Sequence, residues 1–136
     1  MSNEDLIRSA ANHLYPRRVG DRLFGDVAAT LVTDGGNQYS GVCIDTGSGT
    51  GFCAEHSAIA AMVTAREYKI KRIVAVWKDE SGTLYVLPPC GRCREFIRQV
   101  DEENLETDVV LGQQTVVKLR DLLPYHAWPT PLSTEE

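Results

Sequence analysis

The chain has 136 residues, which is enough for one folded domain and too few for two ordinary ones. Its 19 acidic and 14 basic residues give a formal net charge of −5. This balance argues against a nucleic-acid polymer as partner, because phosphate binding needs clustered lysine and arginine. The longest apolar run, Ala58–Val63, is far shorter than the roughly 20 residues of a membrane span, and no secretory leader opens the sequence. We therefore expect a soluble, cytoplasmic, single-domain protein without a membrane partner.

The first third of the chain predicts a helix followed by a β-hairpin. Apolar residues recur at helical spacing over Leu6–Leu14, and Pro16 ends that helix. Two segments rich in β-branched and apolar residues, Phe24–Thr33 and Gln38–Asp45, flank the strong turn sequence Asp34-Gly35-Gly36-Asn37. The sequence therefore predicts that these two strands pair as a hairpin.

The rest of the chain predicts alternating helices and strands. In order, these are a helix over Cys53–Tyr68, strands over Arg72–Trp77 and Thr83–Leu87, a helix over Gly91–Val100, a strand over Thr107–Leu111 and a short terminal helix over Val117–Leu123. This order implies helices packed on a mixed sheet whose later strands are parallel. We expect one domain over residues 1–128 and a flexible C-terminal tail over 129–136.

The four cysteines lie at positions 43, 53, 90 and 93. An even count can indicate disulfides, but the export signal that would support that interpretation is missing. The Cys90-Gly91-Arg92-Cys93 segment is a CxxC pair, which binds metal, acts in redox chemistry or is inert. A thioredoxin-like pair follows an early strand, whereas this one lies late in the chain after Pro88-Pro89. The pattern therefore favours metal binding.

Three of the cysteines lie where a loop turns into a predicted helix, namely Cys53, Cys90 and Cys93. The partial positive charge of a helix N-terminus lowers a thiol pKa and favours the thiolate that a metal ion needs. Three thiolates suit zinc and leave its fourth position open. Glu55 is not a ligand in this interpretation. Two residues along a helix turn by about 200°, so Cys53 must lie at the helix cap for both side chains to face one site.

This set of residues predicts hydrolytic chemistry. Zinc lowers the pKa of a bound water molecule, and Glu55 could take the proton of that water and pass it to a ring nitrogen and then to a leaving amine. Three thiolates leave a formal charge of −1 on the centre, which opposes the ionisation of water. Helix dipoles and a nearby cation would offset that charge, and Arg92 and His56 are the candidates.

The pattern of zinc nucleobase deaminases is a Cys or His, any residue and Glu, followed by Pro-Cys-x-x-Cys. The chain contains it in full, as Cys53-Ala54-Glu55 and Pro89-Cys90-Gly91-Arg92-Cys93. The chain therefore resembles the cytidine deaminase superfamily, of the small three-cysteine type. It looks most like the blasticidin S deaminases, because of its PCGRCRE segment and of Arg120–Pro124 followed by Trp128. This resemblance implies a three-layer α/β/α sandwich around a mixed, mostly five-stranded sheet.

The resemblance also implies roles for individual residues. Cys53, Cys90 and Cys93 match the ligands of one zinc ion per subunit. Glu55 matches the proton shuttle, and the backbone N–H of Ala54 matches the group that binds the pyrimidine carbonyl. Trp128 is similar in place to a C-terminal aromatic residue that packs at the substrate pocket, from a neighbouring subunit of a homotetramer.

One segment departs from the pattern of ordinary cytidine deaminases, which carry an Asn-x-Glu ribose-binding sequence on the second strand. Here the matching segment reads Cys43-Ile44-Asp45. Asp45 could accept a hydrogen bond from a sugar hydroxyl, but Cys43 cannot replace an amide. We expect a small cytosine-type substrate, either cytidine, deoxycytidine or a nucleoside antibiotic such as blasticidin S. The alternative is a non-catalytic zinc module in which Cys43 closes a four-cysteine structural site.

Asp26 receives a weaker interpretation from sequence alone. It falls within the predicted first strand, where an acidic side chain could reach the pocket, but an exposed strand position is the expectation.

Overall fold

A computed structural model describes residues 1–134, and Glu135 and Glu136 lie outside the described part of the chain. The helices are α1 (Asn3–Ala11), α2 (Ala54–Thr64) and α3 (Gly91–Val100). The strands are β1 (Arg17–Val19), β2 (Arg22–Phe24), β3 (Val27–Thr33), β4 (Gln38–Val42), β5 (Ile70–Lys78), β6 (Leu84–Leu87), β7 (Asp108–Val110) and β8 (Val116–Lys118). Short 3-10 helices cover Glu102–Glu106, Leu119–Leu122 and Leu132–Thr134.

Six strands form the main sheet, and β5 is its central strand. The order is β4-β3-β5-β7-β8, and β6 also pairs with β5. β7 runs parallel to the first half of β5, whereas β6 runs antiparallel to its second half. The remaining pairs, β3 with β4, β3 with β5 and β7 with β8, are antiparallel. The sheet is therefore mixed, as the sequence predicted, but it has six strands rather than five, and among the later strands only β5 and β7 pair in parallel.

Helices cover both faces of the sheet, because successive side chains of a strand point to opposite faces. On one face Leu6 and Ala10 of α1 pack against Val74 and Val76 of β5. On the other face α2 and α3 pack against a separate set of buried residues, which includes Ile73 and Ala75 of the same strand. This arrangement is the expected three-layer α/β/α sandwich, and it explains why β5 reads as a nearly continuous apolar run.

A buried asparagine joins three segments on the α3 side of the sheet. Asn104 is 1% exposed and accepts a hydrogen bond of 2.8 Å from the backbone N–H of Ile70 at the start of β5. Its amide donates to the carbonyls of Tyr68 and of Ile97, at 3.0 and 3.1 Å. All three contacts satisfy groups that would otherwise lose hydrogen bonds to water on burial, so Asn104 fixes α3 relative to the central strand.

Several predicted boundaries are wrong. The first helix ends at Ala11 rather than Leu14, and β3 begins at Val27 because the preceding residues form the separate β1–β2 hairpin. β4 ends at Val42, although Ile44 still pairs with Phe52 through an isolated bridge.

Two predicted helices further along the chain differ from the structure for separate reasons. The helix predicted to reach Tyr68 ends at Thr64, because Arg66 adopts a left-handed φ of 68°, which stops helical hydrogen bonding. The helix predicted over Val117–Leu123 is a strand, β8, followed by one 3-10 turn. There the pairing of β8 with β7 overrides local propensity.

The predicted flexible tail stays a prediction. Within it, the structure describes the short 3-10 helix Leu132–Thr134, and the last two residues fall outside the described range. In residues 1–134 no helix combines the length and apolar character needed to cross a membrane.

Candidate active site

Two helix N-termini bring three cysteines together. Cys53 is the N-cap of α2 and Cys90 the N-cap of α3, both with extended backbone, while Cys93 is buried in the first turn of α3. Their three Sγ atoms all lie within 4.8 Å of one another. The geometric condition set by the sequence, that Cys53 must lie at the cap for Glu55 to face the same site, is met.

The cluster fits a zinc ion. Cys53 Sγ and Cys90 Sγ are 3.7 Å apart. Sulfur atoms about 2.3 Å from a tetrahedral zinc are separated by about 3.8 Å, so this spacing suits the ion. The donor set is also the soft, sulfur-rich one that zinc prefers, and three protein ligands leave one position open.

Cys43 belongs to a different cluster. Its thiol donates a hydrogen bond of 3.2 Å to Asp26 Oδ1, and its Sγ groups with carboxylate oxygens of Asp26 and Asp45 rather than with the other three sulfurs. Among the described residues, the metal-ligating group around Cys53 therefore has three cysteines. This geometry supports an open site and not the closed four-cysteine alternative.

The thiols of the cluster differ in acidity. Burial raises the pKa of Cys93, and the negative charges of Glu55 and of Cys53 add to the increase. Burial also raises the pKa of Cys53. At Cys90 burial acts in the same direction, but hydrogen bonds with the backbone N–H and thiol of Cys93, the thiol of Cys53 and the backbone N–H of Arg92 together outweigh it and lower the pKa. A cation at the centre favours all three thiolates, because it offsets both burial and mutual repulsion.

His56 lies beside the cluster and is held by an aromatic neighbour. Its ring stacks on Phe96, with centroids 4.2 Å apart and planes inclined by 20°. Its Nδ1 lies 3.4 Å from Cys93 Sγ, so an Nδ1–H tautomer donates to that sulfur. Burial lowers the pKa of His56, and the charge of Arg92 lowers it further. These effects favour a neutral ring, which leaves Arg92 as the better candidate for the compensating cation.

Glu55 provides a buried carboxyl group at the same place. It lies in the first turn of α2 and is only 6% exposed. Burial raises its pKa, while its own backbone N–H and the Cys93 thiol act in the opposite direction. A carboxyl group with a raised pKa can both take and return a proton at moderate pH, which general acid–base catalysis requires.

Cys53 and Cys90 of the cluster line one cavity of about 480 Å³ together with Glu55. This volume is within the usual range for sites that bind small molecules. Of the predicted substrate-binding residues, Ala54, Asp45 and Cys43 all line it. The Ala54 N–H belongs to the first turn of α2, where backbone N–H groups have no helical carbonyl partner.

Trp128 lies elsewhere in this chain. It is 91% exposed and borders a separate surface depression with Arg98 and His126. Its predicted contact with substrate is therefore not made within one subunit. Sequence reasoning also undervalued Asp26, which precedes β3 and lines the cavity instead of occupying an exposed strand position.

A three-layer α/β/α fold with a three-cysteine centre and a buried glutamate at two helix starts defines the class of zinc-dependent deaminases. The family described as the cytidine and deoxycytidylate deaminase zinc-binding region matches residues 2–107, and the chain belongs to this family. Family membership together with the cysteine cluster indicates one zinc ion per chain and a zinc-dependent hydrolytic deaminase.

Solved structures agree with this assignment. The chain is similar to cytidine deaminase from Mycobacterium leprae, with 25% identity, a TM-score of 0.72, and coverage of 91% of this chain and 99% of that one. It is similar to cytidine deaminase from Burkholderia pseudomallei at 26% identity and a TM-score of 0.73, covering 92% and 98%. It is also similar to cytidine deaminase from Mycobacterium tuberculosis, with 25% identity, a TM-score of 0.72, and coverage of 90% of this chain and 94% of that one. A comparison with curated proteins finds no match.

Proposed function

We propose that this chain hydrolyses the exocyclic amine of a cytosine-type nucleoside, or of a nucleoside antibiotic such as blasticidin S, and releases ammonia. The observation that carries the proposal is that two members of the three-cysteine cluster, Cys53 and Cys90, line one cavity of about 480 Å³ together with the buried Glu55. The ligand roles of Cys53, Cys90 and Cys93 and the shuttle role of Glu55 are part of the proposal.

In the proposed reaction Glu55 moves two protons. When bound, zinc supplies Lewis acidity to the attacking water. The Glu55 carboxylate takes a proton from that water and delivers it to the ring nitrogen next to the amine-bearing carbon. It then transfers the second water proton to the departing amine, which leaves as ammonia, and a carbonyl remains on the ring. The buried position of Glu55 keeps bulk water from exchanging these protons.

Ala54 supports the orientation of the ring. Ala54 lines the cavity, and its backbone N–H lies in the first turn of α2. An N–H at a helix N-terminus favours an oxygen with partial negative charge, such as a pyrimidine carbonyl. In this proposal the carbonyl oxygen of the substrate accepts a hydrogen bond from the backbone N–H of Ala54.

The sugar side of the pocket supports a substrate other than plain cytidine. Cys43 and Asp45 occupy the place of the ribose-binding pattern, and the Cys43 thiol is already hydrogen-bonded to Asp26. The likeness of Arg120–Pro124 and Trp128 to blasticidin S deaminases supports the same choice.

We also propose a homotetramer in the cytoplasm, in which Trp128 reaches the cavity of a neighbouring subunit. Trp128 and Tyr125 both lie almost fully exposed on the surface of the single chain. Two large aromatic side chains so close together favour burial against another subunit.

The test measures ammonia release and ultraviolet absorbance on cytidine, deoxycytidine, cytosine and blasticidin S, with the zinc-loaded wild type beside Glu55→Gln. We expect turnover of at least one compound, and a loss of about 100-fold or more in the variant, which retains zinc. Exposed Glu80 supplies the matched control, Glu80→Gln, which keeps wild-type rates. Silence of the wild type across the panel with zinc bound would contradict the proposal.

A further inference from the structure

A second polar cluster lines the cavity, formed by Asp26, Cys43 and Asp45. One carboxylate oxygen from each aspartate and the Cys43 sulfur lie within 4.8 Å of one another. We call these three residues the acidic wall. The grouping is not evident from the sequence, because Asp26 and Cys43 are 17 positions apart.

Strand pairing builds the acidic wall and holds it in place. The backbone N–H of Cys43 donates to Val27 at 3.0 Å, and that of Gly25 donates to Cys43 at 3.1 Å. These two bonds extend the β3–β4 ladder past the end of β4 and put Asp26 directly beside Cys43. Pairing with the sheet therefore positions Asp26 and Cys43, the two inner members of the acidic wall.

The Cys43 thiol fixes the orientation of one carboxylate. Cys43 is only 4% exposed, and its thiol donates to Asp26 Oδ1. Burial raises the pKa of Cys43 to about 11, so the sulfur keeps its proton and remains a donor near neutral pH. A carboxylate has about four lone-pair sites on its two oxygens, so Asp26 retains acceptor capacity toward the cavity.

The charge of the cavity lining is strongly one-sided. The cavity is lined by three acidic side chains, Asp26, Asp45 and Glu55, and by one basic side chain, Arg92. Their formal charges sum to −2. A zinc ion with three thiolates adds a further −1 and does not reverse the sign. Two carboxylates within 4.8 Å also repel each other, and a cationic group between them removes that repulsion.

Ring geometry directs part of the substrate toward the wall. In a cytosine ring the amine-bearing carbon and the nitrogen that carries the sugar occupy opposite positions. With the amine-bearing carbon at the thiolate cluster and Glu55, the sugar substituent points away from them, toward the rest of the lining. Asp45 is the exposed member of the acidic wall and lies at the solvent side.

We infer that the acidic wall selects substrates by charge. It binds an ammonium or guanidinium group carried on the sugar side of a cytosine-type compound, and it disfavours a phosphate there. This inference rests on the proposed function and narrows it, because the family includes deaminases of both nucleosides and nucleotides.

The test compares three probes that differ in charge at one place: cytidine, its analogue with an amino group in place of the 5′-hydroxyl, and cytidine 5′-monophosphate. Dissociation constants are measured by calorimetry on zinc-loaded Glu55→Gln, and kcat/KM on zinc-loaded wild type. We expect the amino analogue to bind at least about tenfold more tightly than cytidine, and the monophosphate at least about tenfold more weakly.

Variants that neutralise one aspartate at a time test whether the acidic wall causes the preference for a cationic substrate. In Asp26→Asn and Asp45→Asn, each also carrying Glu55→Gln, the ratio between the amino analogue and the monophosphate should fall at least about tenfold. Asp34→Asn is the matched control, because exposed Asp34 lies at the far end of the β3–β4 hairpin, eight residues and about 26 Å along the strand from Asp26. It should preserve the ratio.

The outcomes separate the two proposals. Turnover of cytosine compounds with equal affinity for all three probes overturns the charge selection and leaves the deaminase proposal standing. A ratio of affinities between the amino analogue and the monophosphate that is unchanged in both wall variants also overturns it. Failure of every probe to bind the zinc-loaded protein overturns the charge selection, whereas only silence of the wild type across the four-compound panel overturns the deaminase proposal.

Discussion

His56 and Phe96 stack across the interface of α2 and α3, with ring centroids 4.2 Å apart, and this contact aims His56 Nδ1 at the sulfur of Cys93. Hydrogen-bond partners of metal ligands commonly contribute 10–100-fold to metal affinity. We therefore expect His56→Ala to weaken zinc binding by about 10–100-fold, measured by competition with a chelator. Phe96→Leu should have a smaller effect, since it removes the flat ring but keeps apolar packing.

The control for this prediction is His13→Ala, because His13 is exposed just beyond α1 and away from the cluster. Equal zinc affinities of wild type and His56→Ala would show that the contact with Cys93 does not support the metal.

The position of Cys43 predicts how zinc content responds to cysteine substitutions. Cys43→Ser should retain one zinc ion per chain, because its thiol lies in the acidic wall and a hydroxyl can still donate to Asp26. Cys90→Ser should lose most of the metal, because Cys90 contributes one of three sulfurs. Zinc is measured by elemental analysis of the dialysed proteins. Loss of zinc from Cys43→Ser would restore the closed four-cysteine interpretation.

Gly41 allows α2 to lie close against β4. A Cβ added at Gly41 would collide with the Ser57 side chain and lie 2.5 Å from the backbone nitrogen of Ala58. The helix backbone would have to move, and overpacking of this kind costs roughly 1–3 kcal/mol. We expect Gly41→Ala to lower the free energy of unfolding by that amount in chemical denaturation. Gly47→Ala is the control, since no atom lies within 4 Å of its added Cβ.

The same substitution should also reduce activity. The start of α2 holds both Cys53 and Glu55, so a displaced helix changes their position relative to α3. We expect Gly41→Ala to lower kcat/KM on any accepted substrate more than its loss of stability alone explains. An unchanged rate in the folded variant would contradict this link.

Stability should depend on pH through Glu67. Tyr39 donates a hydrogen bond of 2.5 Å and Asn37 one of 2.9 Å to Glu67 Oε2, and these bonds, led by that of Tyr39, lower the pKa of Glu67 below its ordinary value. A folded pKa below the unfolded one stabilises the protein above the unfolded pKa, and this contribution is lost as pH falls through the folded pKa.

Tyr39→Phe tests this dependence. In chemical denaturation the wild type should be more stable than the variant near neutral pH, and the difference should shrink at about pH 3, where carboxylates take up protons. A difference that does not change with pH would assign the effect to packing of the ring.

The metal centre was predictable from the sequence because its signal is local. Each ligand lies at a helix start, and the spacing within Cys53-Ala54-Glu55 and within Cys90–Cys93 fixes which side chains face one site. The order of the main helices and strands was predictable for the same reason, since α2, β3 and β5 are long segments rich in apolar residues.

What the sequence could not predict depends on pairing between distant segments. β1, β2 and β8 are three residues long, and too few side chains alternate in them to give a pattern. Asp26 lines the cavity because the backbone of Cys43 pairs beside it, whereas Trp128 borders a separate surface depression beside Arg98 of α3. Asn104 likewise has two of its three partners, Tyr68 and Ile70, 36 and 34 positions away along the chain.

The two capping cysteines are 37 positions apart, and the segment between them contains the whole of α2 and the central strand β5. A bound ion therefore acts as a crosslink that closes a loop around the middle of the fold. For a covalent link, closing a loop of this length removes chain entropy worth about 4 kcal/mol from the unfolded state. Metal supply would thus set the stability of the fold as well as the activity of the site.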